Sequence, residues 1–149
     1  MITFLKAEEQ HQHKNGGGWV ANTATVEESA YIGARAQVFG NAQVFDYAQV
    51  SDYARVSGDA WVFGSARVFD YAWVFGNAQV FGDARVFGNA QVFDYAWVSD
   101  YARVSGSARV FGSARVFGSA RVSGNARVSG DALVSGNAYI GDDGLIYAC

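Results

Sequence analysis

The chain has 149 residues, half of them hydrophobic, with a mean hydropathy of +0.01 and a formal net charge of −3. That length suits one domain, the charge singles out neither nucleic acid nor an acidic mimic of it as partner, and no apolar run approaches the ~18 residues of a membrane span. The one cysteine, Cys149, excludes an internal disulfide framework and fits a reducing compartment, so a soluble cytoplasmic protein is expected.

Residues 1–17 open with "MITFLKAEEQHQHK", which lacks the apolar core and small-residue cleavage site of a signal peptide. They also lack the periodic pattern that follows and are expected to cap it, because the first unit of a stacked repeat presents unpaired strand edges. The "HQH" spacing of His11 and His13 can put two imidazoles on one side of a strand, as a pair of metal ligands requires. A third protein ligand is not evident, so a surface or capping role is expected and no metal or other cofactor is assigned. "NGGGWV" (15–20) lacks the Lys-Ser/Thr pair and the helix of a phosphate loop. It reads as a flexible entry into the repeat, with Trp19 covering the end.

From Gly18 to Cys149 the chain is periodic. Every sixth residue from Ala24 to Ala138 is Ala, and two residues after each stands Val or Ile, from Val26 to Ile140. Gly18-Trp19-Val20 and Gly144-Leu145-Ile146 extend the phase, making 22 hexads without insertion or deletion. A period of six is not helical. Each hexad reads as a short alternating strand followed by a corner whose first residue is Gly almost everywhere or, in the "DY" pairs, Asp46, Asp52, Asp70, Asp94 or Asp100. Both residue types tolerate positive φ, Gly far more readily. Such sides cannot bury their apolar edge alone and must stack as a solenoid. Ala and Val then form a narrow interior, and Trp73 and Phe75 in "AWVFGNAQVF" (72–81) face outward.

"VFGNAQ" (74–79) and "VSGNAR" (122–127) resemble the hexapeptide-repeat family, in which an aliphatic residue is followed four positions later by a small one. The resemblance covers about nine tenths of the chain. It implies an all-β, single-stranded, left-handed parallel β-helix: a triangular β-solenoid of about seven coils of 18 residues, roughly 35 Å long at the usual strand spacing. The "GGGWVA" entry and the "GNARV" repeats are most similar to small bacterial and phage-borne hexapeptide proteins labelled transferases.

With three sides, residues eighteen apart stack. One face presents Trp19, Gln37, Arg55, Trp73, Gln91 and Arg109, with Phe39, Phe75, Phe93 and Phe111 beside them. A second presents Gln43, Trp61, Gln79, Trp97 and Arg115, flanked by Phe45, Phe63, Phe81 and Phe117. The third carries Arg67, Arg85, Arg103 and Arg121, and all three internal Trp avoid it. The Phe rings can simply stack along their own rod. Alternatively, Trp61, Trp73 and Trp97 with Phe45, Phe63, Phe75, Phe81, Phe93 and Phe111 form an apolar surface buried against something else. A homo-oligomer is expected, dimer or trimer, and the family is typically trimeric. The Arg ladder reads as a solvated face or as a site for an anion or acidic partner. Without interleaved aromatics it is not a nucleic-acid platform.

The resemblance also raises acyl transfer, which in that family uses a His as general base. The repeats here contain no His, and the proton acceptor that reaction needs is missing. The family's zinc-dependent carbonic anhydrases use three His, against two in this chain. Ice binding through Thr-x-Thr ladders finds only Thr23-Ala24-Thr25. The expected function is a non-enzymatic structural or binding module acting through the Trp/Phe faces on itself or a protein partner, without a membrane. The alternatives are an acyltransferase-like enzyme and a phage-type inhibitor of a host protein.

Overall fold

Each hexad makes one side of a coil. The computed structural model describes residues 1–148; Cys149 lies outside the described residues. Apart from one short 3-10 turn at Ala7–Glu9, the regular elements are strands, mostly of two residues, formed by the position after Ala and the Val that follows it. Within the repeat, strands eighteen residues apart pair in parallel. Arg67 aligns with Arg85 and Trp73 with Gln91, while Gln79 lies between Trp61 and Trp97. The strands sort into three sheets, one of nine strands and two of seven, which are the three faces of a triangular β-solenoid of about seven coils.

The interior is what the repeat demands. Every Ala and every Val or Ile of the pattern from Ala30 to Val128 is fully buried, and Val stacks on Val from coil to coil. Each buried Val contributes about 1.5 kcal/mol or more. The ladder between coils supplies directional cohesion: Gln79 N–H donates to Ala96 O at 2.9 Å and Phe81 N–H to Val98 O at 3.0 Å.

The corners carry the expected positive φ. It is 55–59° at Asp46, Asp52, Asp70, Asp94 and Asp100, and a sixth such Asp stands at Asp142 (52°). The first coil departs from this rule. Its corners fall on Asn22, Glu28 and Ala34, none of which has positive φ. These corners keep the same closing bond as the others, as from Ala24 N–H to Ala21 O at 2.9 Å.

Residues 1–17 add a strand to the first face. Gln10–Gln12 pair antiparallel with Trp19–Ala21, and Ile2 is fully buried. The buried Gln10 side chain organises this segment: its Oε1 accepts from Ile2 N–H at 2.8 Å, and its Nε2 donates to the carbonyls of Ile2 and Leu5, each at 3.1 Å. Phe4 packs edge-on against Phe39, with centroids 5.1 Å apart. A Gln10→Leu chain should lose amide-exchange protection over residues 10–12, by about 1–2 kcal/mol. The repeat's own amides should keep theirs, which exchange mass spectrometry would show.

The glycine entry is not a flexible lead. Gly17 N–H donates to His13 O and Gly18 N–H to Ile32 O, at 3.0 and 2.9 Å. Any Cβ on Gly18 would run into the Ile32 side chain and the Gly33 carbonyl. Gly16 and Gly18 are glycine because the backbone passes hard against the third face, and Gly17 takes the left-handed φ of 79°.

Candidate functional site

The aromatic residues fall on the outside but cover one another. Phe45, Phe63 and Phe81 stack in a ladder with centroids 4.9 Å apart and planes within 4°. Phe75, Phe93 and Phe111 form a second ladder, at 4.8 and 5.0 Å. Every Phe of the repeat is therefore half-buried. The cause is the strict register, which places identical flat side chains one coil apart, close to ring-stacking distance.

Each internal Trp folds back over the residue after Val in the preceding coil. Trp61 lies edge-to-face against Phe45 and Phe63 (71° and 73°), and Trp97 against Phe81 (76°). Trp73 meets Ser57 instead and donates its indole N–H to Ser57 Oγ at 2.8 Å. Two of these rings carry a guanidinium: Arg55 sits 5.7 Å from the Trp73 centroid, and Arg115 sits 4.6 Å from that of Trp97. Trp61 is the most open of the three, 39 % exposed.

Among the exposed aromatics are ones the repeat alone did not single out, the corner tyrosines Tyr47, Tyr71, Tyr95 and Tyr101. Their position after the corner Asp was the available signal. That Asp does more than tolerate positive φ. Its carboxylate accepts the corner N–H of the next coil, as from Asp46 to Gly64, Asp70 to Gly88, Asp94 to Gly112 and Asp100 to Gly118, at 3.0–3.1 Å.

Corner and face residues together enclose several troughs along the rod, two of them on the tryptophan faces. The larger, about 600 Å3, is lined by the corner row Asp59, Asn77, Tyr95 and Ser113 and by the face row Trp61, Gln79, Trp97 and Arg115. The smaller, about 240 Å3, lies on the first face and includes Trp73, Arg55, Gln91 and the stacked pair Tyr53–Tyr71.

Arg67, Arg85, Arg103 and Arg121 are all exposed and in direct register. Among the described residues none of the four is held by a carboxylate or by a side-chain hydrogen bond. The two imidazoles go to different partners: His11 Nδ1 lies 2.7 Å from Asn22 Oδ1 at the surface, and the buried His13 Nε2 lies 2.9 Å from Ala30 O. Among the described residues no three His, Cys, Asp or Glu side chains converge as a metal site would require. Nor is any helix long and apolar enough to cross a membrane.

Comparison with known proteins agrees with this architecture. A family model described as YdcK Beta solenoid repeat matches residues 78–94, 120–136 and 126–142. No curated protein and no solved structure matches the chain. Repeat, coil geometry and family model together make it a β-solenoid repeat protein.

Proposed function

We propose that the chain is a cytoplasmic, non-enzymatic assembly module of the hexapeptide-repeat, left-handed type, capped by residues 1–17, whose Trp/Phe faces pack against a second copy. The observation that carries this reading is the pair of outward ring ladders. Phe45–Phe63–Phe81 and Phe75–Phe93–Phe111 stay half-buried, not fully covered, after stacking on themselves, with Trp61 and Trp73 beside them. Monomers seldom leave so continuous an apolar strip in water. Rigid rings in register also lose little conformational freedom when covered. The Arg67–Arg121 ladder serves as a secondary strip for acidic groups, supported by its lack of internal partners. Acyl transfer is disfavoured because both imidazoles lie in the first 17 residues, one on Asn22 and the other on the Ala30 carbonyl.

Light scattering tests the reading. The wild type should show a multiple of the 16.0 kDa chain mass. A Trp61→Ala, Trp73→Ala chain should fall toward one chain while keeping its circular dichroism and melting temperature. A wild-type mass of one chain overturns self-association.

A further inference from the structure

We infer that the larger trough, along the leading edge of the second face, binds an extended, neutral hexose polysaccharide. The inference rests on the reading of the chain as a binding module, and its ligand competes with a second copy for the strip around Trp61.

Three observations on the trough converge. The first is its chemistry. Its face row sets Gln79 between Trp61 and Trp97, with Asp59 and Asn77 on the adjoining corner row. Among the described residues, the side chains of Asp59, Asn77 and Gln79 make no hydrogen bond, so amide and carboxylate groups stand free beside two indoles, of which Trp61 is open and Trp97 carries the Arg115 guanidinium 4.6 Å from its centroid. A hexose ring has an apolar face of C–H groups and a rim of hydroxyls. It needs this combination of an aromatic surface to lie on and mixed donors and acceptors at its edge.

The second is charge. One acid, Asp59, and one base, Arg115, line the trough. They leave it without the net field that would select a polyanion or a basic peptide.

The third is the backbone. Trp61, Gln79 and Trp97 each donate their N–H to a carbonyl of the next coil (Ala78, Ala96 and Ala114, all at 2.9 Å). No strand edge is open here to take a peptide by main-chain pairing, so recognition falls to side chains.

The spacing adds direction. Trp61 and Trp97 are two coils apart, about 10 Å at the usual strand separation. Both stand at a similar steep angle on the Phe45–Phe63–Phe81 ladder, which holds them before any ligand arrives. A flat, ribbon-like hexose chain turns the same ring face outward at every second sugar. Such a chain laid along the rod meets the open Trp61 and, in phase with it, Trp97 with its Arg115 guanidinium. A coiled chain does not.

The test is calorimetric titration of the full chain with cellohexaose and mannohexaose, with maltohexaose as the coiled control and hyaluronan as the anionic one. Molar mass is measured in parallel. An extended neutral hexaose should bind saturably and better than both controls. Affinity should fall roughly tenfold in Trp61→Ala and in Gln79→Ala, and stay at the wild-type value in Tyr139→Ala, an exposed site on the third face. Melting temperatures of all three variants should match the wild type, separating site loss from unfolding. Failure of both extended hexaoses to bind overturns the glycan site, as does stronger binding of hyaluronan or maltohexaose, or binding that survives Trp61→Ala and Gln79→Ala. If the mass nevertheless exceeds one chain, the self-association reading stands without it.

Discussion

A Val80→Asp chain is expected to melt roughly 10 °C or more below the wild type, and in two steps rather than one. Val80 is fully buried between Val62 and Val98. The buried polar side chains among the described residues are Gln10, His13, Ser57, Ser99 and Ser129, all outside the Ala/Val interior. A carboxyl placed at Val80 finds no partner there, and even when it stays neutral the loss is about 3 kcal/mol or more. A globular core spreads such damage over many neighbours. Here each coil touches only the coils before and after it, so stability is close to a sum of nearest-neighbour terms. The defect should divide the rod, with the stretches on either side melting separately. Val80→Ala, which removes volume without adding polarity, should cost less than half as much and keep a single transition. Scanning calorimetry decides the matter; one transition within about 2 °C of the wild type for Val80→Asp would sink the nearest-neighbour account.

The second large effect is expected at a corner, where the ranking of substitutions is itself the test. Gly88 has φ 65°, and an added Cβ would lie 3.0 Å from both the N and the O of Gly106 in the next coil. Gly88→Ala should therefore cost about 2 kcal/mol, from the left-handed backbone and from crowding, or roughly 4–8 °C in melting temperature. Gly88→Asp adds the same Cβ but should cost about 1 kcal/mol less. Its carboxylate can accept the Gly106 N–H, as Asp70 already accepts that of Gly88 at 3.0 Å. The rod already seats such a Cβ above Gly88 itself. If urea unfolding shows Asp to be as harmful as Ala, the corner carboxylates contribute nothing.

How much of this could be read from the sequence depended on whether a residue's role repeats. Ala78 and Val80 recur in every coil, so their burial and the outward turn of Trp73 and Phe75 followed from phase alone. Asp46 and its kin were legible for their φ, because that is a local property. Their second role as acceptors for the coil above depends on a contact eighteen residues away, and no local pattern announces it. The same holds for the Trp73–Ser57 bond, and for the trough, which needs Asp59 and Asn77 from a corner to meet Trp61 and Gln79 from a face. Residues 1–17 were legible as non-repetitive and, from the open edge of a first coil, as a cap, but not in detail. Their antiparallel strand and the role of Gln10 come from single contacts that occur once in the molecule. The glycine entry was misread for a related reason, since glycine marks both slack and close approach, and only the position of Ile32 distinguishes them.

The unbroken phase between hexads also fixes which edits of length the molecule can absorb. Removing eighteen residues inside the repeat leaves every later side chain on its own face, because residues that far apart are register partners. Removing six turns everything downstream by a third of a revolution. The Arg103–Arg121 cations would then continue one of the tryptophan faces, and the interior would notice nothing. Changes in length are thus sorted by arithmetic: whole coils alter reach, and fractions of a coil rewrite which chemistries share a side.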